Sequence, residues 1–214
     1  MSQQSSDAET GRKLQILQAA EKVFAQEGYH GTTMRGIADA AEVKLSLIVY
    51  HFDAKLKLYR AIFLRRQYIN EQRRELLRSI DPLDEFAMTQ LVSAFADPVL
   101  ALHENPDDLW FARLVLREAS DPSSQQRGII HELFDPMAEE FIAAMARINP
   151  GHEPSFYRWA YLFAVGALTS SSFDVRAHDL GEPDDHHPTS GKATLLKDFI
   201  AAGWQGEPRK LVSR

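Results

Sequence analysis

The chain contains no cysteine. Disulfides, thiolate metal sites and cysteine nucleophiles are therefore excluded, and a cytoplasmic setting is expected. No apolar run reaches the ~18 residues that a membrane-spanning helix requires, so none is expected. Residues 1–11, MSQQSSDAETG, have neither a basic start nor an apolar stretch and do not read as a signal peptide. Strand-like alternation is nearly absent. So are HExxH, GxSxG and phosphate-loop motifs, and no acid/base pair stands out. Ser170-Ser171-Ser172 follows no strand, so it is not a nucleophile elbow. What remains is a chain of 214 residues, 44% hydrophobic and 25% charged, long enough to bury a core without staples.

The net charge of −6 argues against a uniformly basic nucleic-acid binder. The charge is unevenly spread. Residues 1–65 carry nine Lys and Arg against seven Asp and Glu, whereas residues 66–214 carry 15 against 23. An acidic average thus conceals a basic end.

Helical periodicity dominates. Leu14, Leu17, Ala20 and Phe24 share a face over 12–26, and Gly28 ends that helix. Short helices are expected near 34–41 and 45–51, and a long one near 55–78. Asp81-Pro82, Asn105-Pro106 and Asp121-Pro122 each place a capping side chain before a proline. They predict helices near 83–103, 107–120 and 123–148. Two more follow near 154–177 and 192–204. The expected fold is all-α, about nine helices. A three-helix N-terminal domain with a helix-turn-helix (10–54) precedes a larger helical bundle (55–206). Residues 1–9 are expected as a disordered tail and 207–214 as a flexible one.

Residues 32–55, TTMRGIADAAEVKLSLIVYHFDAK, carry the function. Thr33 caps a helix starting at Met34. Ile37 and Ala38 face inward, and Ala41 and Val43 close a tight turn. Ile48 and Phe52, four apart, are the buried face of the next short helix. Helices this short bury little area alone. Packed on the first helix they form a helix-turn-helix, exposing Lys44, Ser46, Leu47, Val49, Tyr50 and His51 to a DNA major groove.

Residues 12–62, about a quarter of the chain, resemble the N-terminal domain of the TetR family of transcriptional regulators. The matching residues are Ala20 and Phe24, Glu27-Gly28-Tyr29, Thr32-Thr33, Ile37-Ala38, the Ala41–Val43 turn, Tyr50-His51-Phe52, and Lys55 with Leu58-Tyr59. The resemblance implies an all-helical homodimer with a repressor role, whose C-terminal domain holds the dimer interface and usually an inducer pocket. Three positions depart from the family pattern. Glu42 replaces the usual glycine of the turn, Lys44 replaces the usual Ser or Thr at the start of the recognition helix, and Val49 replaces the usual tyrosine. A left-handed Glu42 costs on the order of 1 kcal/mol.

The DNA-facing candidates follow. Thr33 serves as cap and phosphate ligand. The resemblance gives Arg35 a base or phosphate contact. Lys44 and Lys55 are expected on phosphates, and Tyr50 and His51 beside the backbone. Leu45, Leu47 and Val49 offer methyl groups to thymine, and Ser46 caps one turn late. The arginines at 60, 65, 66, 73, 74 and 78 read as a solvated helix face. The Arg176–His187 loop is rich in His, Asp and Glu, but adjacent histidines in a Pro/Gly loop do not hold a metal, so no metal and no cofactor are expected. Trp110, Arg113, His131, Phe134, Met137, Trp159 and Phe163 are candidates for an effector pocket taking a small apolar ligand. Ala164 and Ala167 with Leu195, Leu196, Phe199 and Ile200 are candidates for a homodimer seam. The expected partners are double-stranded operator DNA, a second copy of the chain and a small effector, with no membrane. Two other readings stay open: a helical interaction module whose DNA binding has decayed, and an enzyme on a helical scaffold.

Overall fold

The computed structural model describes residues 2–105, 108–171 and 190–206. Among the described residues every regular element is helical. The first helices are α1 (Ser2–Gly31), α2 (Met34–Ala40), α3 (Leu45–Phe52), α4 (Lys55–Arg65), α5 (Gln67–Arg78) and α6 (Ala87–Leu100). After a 3-10 turn at Ala101–Glu104 come α7 (Leu109–Ser120), α8 (Ser124–Arg127) and α9 (Ile129–Leu133). Then follow α10 (Asp135–Ile148), α11 (Pro154–Ser171) and a last described helix, α12 (Ser190–Gln205).

Several boundaries differ from the sequence expectation, each for a local reason. The first helix begins at Ser2, so residues 2–9 continue it instead of forming a tail. It loses helical geometry at Gly28, where φ is 77°. The helix expected over 55–78 breaks at Arg66, whose N–H bonds the Phe63 carbonyl in a tightened last turn. The helix expected over 83–103 starts at Ala87, because Asp81 and Asp84 accept from the N–H groups of Leu83 and Phe86 and form turns instead. The helix expected over 123–148 is three, divided by the left-handed Gly128 (φ 67°) and by Phe134. The loop 172–189 and the tail 207–214 lie outside the described residues.

The chain divides into two compact units: Met1–Tyr68 with Pro106–Leu133, and Ile69–Asn105 with Phe134–Arg214. This differs from a single cut at residue 54. In the first unit α7 packs along α1. Ile16, Ala20 and Phe24 of α1 are fully buried with Ile37, Ile48, Leu58 and Ile62. A chain of edge-to-face rings runs from Phe24 through Tyr59 and Phe63 to Phe111, at 4.7, 5.2 and 5.8 Å.

One buried ion-pair cluster joins the 106–133 part of this unit to α1 and α4, and a second, within 106–133, reaches α4 through Tyr59. Arg66, expected on a solvated face, is 6% exposed and clamps Glu21 at 2.7 Å and Asp108 at 2.6 Å. Arg127 pairs with the buried Glu118 at 2.7 Å and with Asp121 at 2.8 Å. The Tyr59 hydroxyl donates to Glu118 at 2.9 Å. Burial, then the Glu118 charge, pushes the Tyr59 pKa up, so it remains a donor. Such pairs are favourable only when their remaining donors are satisfied, and here Ser123 and Ser124 hydroxyls complete the Arg127–Glu118 cluster.

In the second unit α6, α10, α11 and α12 surround one core: Leu91, Phe95, Phe141, Met145, Tyr161, Leu168, Ile200 and Trp204. The Trp204 indole N–H donates to the Ala160 carbonyl at 3.1 Å, and the Asn149 amide bonds the Trp204 carbonyl at 3.0 Å. These bonds fix the end of α12 against its neighbours.

Candidate nucleic-acid interface

The 32–52 segment is built from local chemistry. The Gly36 N–H donates to the Thr33 hydroxyl at 3.0 Å, capping α2. At the other end of α2 the Val43 N–H reaches the Ala38 carbonyl (3.0 Å) and the Glu42 N–H reaches Asp39 (3.2 Å). This is the Schellman pattern, and its left-handed position is Glu42, at φ 53°. The Gln15 side-chain amide of α1 braces the turn through the Ala41 carbonyl at 2.8 Å. Ile48 and Phe52 then pin α3 against the unit, at 0% and 5% exposure.

The opposite face of α3 is open. Leu45, Val49 and Tyr50 are 37%, 46% and 74% exposed. Lys44 and Ser46 are exposed and Leu47 is half-buried. Lys44 opens α3 without a side-chain cap, and Ser46 supplies none. Thr33 and Arg35 stand exposed at the first turn of α2. A shallow depression of about 460 Å³ is lined by Arg12, Glu42, Val43, Lys44, Ser46, Leu47 and Tyr50. Arg12 was not singled out by the sequence. Its signal was the basic pair Arg12-Lys13 just ahead of the apolar pattern of α1.

Two expected backbone contacts are placed differently. Lys55 turns inward: its ammonium donates to the Tyr29 and Thr32 carbonyls, each at 2.9 Å, and lies 4.5 Å from the Tyr29 ring centre. Burial, then Arg127, lowers its pKa. It therefore ties the end of α1 to the start of α4 before it serves any phosphate. His51 is half-buried, and its Nε2 is buried without a hydrogen-bond partner among the described residues.

The effector candidates are shared between the two units. Trp110, Arg113 and His131 belong to the first unit. Trp110 is half-buried with the cations of Lys22 and Arg113 over its ring, and Arg113 and His131 are exposed. Phe134, Met137, Trp159 and Phe163 belong to the second. Phe134 is half-buried and Met137 is in the core. Trp159 and Phe163, stacked at 5.7 Å, are 58% and 68% exposed on the outer face of α11. The seam candidates divide too. Ala164, Leu196 and Ile200 are core residues and Ala167 packs against that core. Leu195 and Phe199 are 71% and 66% exposed. The outer faces of α11 and α12 therefore carry Trp159, Leu162, Phe163, Leu195 and Phe199.

A capped helix, a Schellman turn and a second helix with one buried and one open face define a helix-turn-helix protein. Comparison with known proteins specifies it further. Residues 16–62 match the family model "Bacterial regulatory proteins, tetR family", and residues 93–203 match "Tetracyclin repressor-like, C-terminal domain". The chain belongs to the TetR family of transcriptional regulators. Among curated relatives, the transcriptional activator FasR of Mycolicibacterium smegmatis is 44% identical over 54 residues, 25% of each chain. The transcriptional repressor KstR2 of Rhodococcus jostii is 38% identical over 50 residues, 23% of this chain and 24% of its own. The chain thus spans about a quarter of the length of these relatives. Among solved structures, AibR in complex with isovaleryl coenzyme A and operator DNA has a TM-score of 0.63 at 17% identity, covering 89% of this chain and 96% of AibR. That likeness is one of fold.

Proposed function

We propose that the protein is a DNA-binding repressor that sits as a homodimer on a near-palindromic operator and is released by a small effector in the second unit. The observation that carries the reading is the open apolar face of α3, held by Ile48 and Phe52 beneath it. Leu45, Val49 and Tyr50 meet thymine methyls and sugars, while Lys44, Arg35, Thr33 and Arg12 meet phosphates. The outer faces of α11 and α12 support the dimer: five large apolar side chains in the open are unusual for a monomer surface. AibR, of like fold, was solved in complex with both isovaleryl coenzyme A and operator DNA, which supports a fold able to hold a small ligand as well as an operator. No helix among the described residues is long and apolar enough to cross a membrane; reading operator DNA puts the protein at work in the cytoplasm, where it acts by binding, without catalysis.

A gel shift on the DNA upstream of its own gene tests this reading. The account expects one retarded complex containing two protomers. Retention that survives Val49→Glu and Tyr50→Ala together would remove α3 from the interface. The interaction-module reading, favoured by the uncapped start of α3 at Lys44, predicts no specific complex at all.

A further inference from the structure

Arg73 of α5 is 5% exposed inside the second unit. Its guanidinium lies 4.7 Å from the ring centre of Phe95 on α6 and 5.3 Å from that of Phe141 on α10. The Tyr161 side chain of α11 is hydrogen-bonded to it, and its Nε is buried without a partner. Arg66, Arg74 and Arg127 each grip a carboxylate. Among the described residues Arg73 makes no ion pair, and burial lowers its pKa with only Tyr161 opposing. A guanidinium still keeps its proton in a protein. An uncompensated positive charge therefore sits where four helices meet. Two phenyl faces offset part of that cost and do not neutralise the charge.

We infer that Arg73 anchors an anionic ligand, an apolar molecule ending in a carboxylate, within the second unit. The free Nε and a neighbouring Nη form one side of the guanidinium fork, the edge that a carboxylate takes with both oxygens. Tyr161 accepts a hydrogen bond from the guanidinium. The apolar part of the ligand enters the cluster that includes Met88, Met137 and Met145. These unbranched thioethers repack readily around a guest. The inference rests on the ligand-responsive reading only for its consequence, release of DNA.

Isothermal titration calorimetry of the full-length protein with octanoate and with octanamide tests it, since the two share a tail and differ in head charge. Octanoate should bind at least ten-fold tighter than octanamide. Arg73→Met should erase that preference and Arg73→Lys should retain part of it. Because Met replaces an unpaired charge with apolar bulk, the unliganded R73M protein should melt at the wild-type temperature or above. Absence of octanoate binding, equal affinity of the two probes, or an undiminished preference in R73M would overturn the inference. So would a collapse of the R73M fold, which would make Arg73 a structural cation. Octanoate that binds through Arg73 and leaves operator DNA bound would uphold the site and contradict the release reading.

Discussion

Single residues carry cost as well as function. Glu42 occupies the left-handed position of the turn between α2 and α3 at φ 53°. Glu42→Gly should raise stability by about 1 kcal/mol in thermal or denaturant unfolding; a lower melting temperature would show that its side chain compensates the strain. Gly28 is the converse case. It sits at φ 77° with an added Cβ only 3.0 Å from Arg117 Nη1, so Gly28→Ala should destabilise by about 1–2 kcal/mol. Asp121 is a titrating anchor. Hydrogen bonds from Ser123, then Arg127, push its pKa down to about 2 from the usual 3.8. A depressed carboxylate contributes stability above its unfolded pKa and loses it as pH falls through the folded one. The Asp121 contribution is therefore present above about pH 4 and disappears towards pH 2, and Asp121→Asn should flatten the stability profile in that window. Residue roles were legible where they are local. Thr33 as a cap, Ile48 and Phe52 as the underside of α3, and the cost at Glu42 all follow from neighbours within a few positions. Arg66 and Arg73 were not, because their burial depends on Glu21, Phe95 and Phe141, which lie far away in sequence.

At the scale of elements, α12 shows why periodicity alone misleads. Two apolar stripes run along it, Leu195–Phe199 and Leu196–Ile200, one residue apart. Both have helical spacing, so the pattern does not say which one faces the core. The fold buries the second against α6 and α11 and leaves the first open. The two should therefore respond differently to the same change. Phe199→Glu should split the dimer in sedimentation and leave the circular dichroism spectrum intact. Leu196→Glu should lose the fold itself, because it places an unpaired charge in the core. Equal behaviour of the two variants would contradict this division. The packing of α7 and α8 within the first unit is likewise a matter of elements. Glu118 is 1% exposed and Arg127 8%, so Glu118→Ala should leave the guanidinium with only the Asp121 carboxylate and cost about 3 kcal/mol in unfolding experiments, the low end for a broken buried pair. The Gly128 break that separates α8 from α9 had a visible cause in the sequence, a glycine able to take the left-handed cap. The break at Arg66 had none, since Arg66 is pulled by side chains of α1 and of the segment before α7.

At the scale of the molecule, the helix-turn-helix shares its unit with α7, α8 and α9. The reading head is therefore larger than residues 10–54, and its core includes Phe111, Leu114 and Ile129 well downstream. The second unit holds the apolar outer faces of α11 and α12 and the buried Arg73. Under the proposed function, dimer formation and effector binding fall to this body of the chain and DNA reading to the other. Linkage then requires that operator DNA weaken effector binding by the factor by which the effector weakens DNA binding. The central claim is that two copies of α3 read two half-sites in fixed register. Quantitative gel shifts on the palindromic element upstream of its own gene, native and with about five base pairs inserted between the half-sites, test it most directly. Half a helical turn moves one half-site to the opposite face of the duplex, so the account predicts a two-protomer complex on the native element and loss of it on the lengthened one. Equal affinity for both would contradict it.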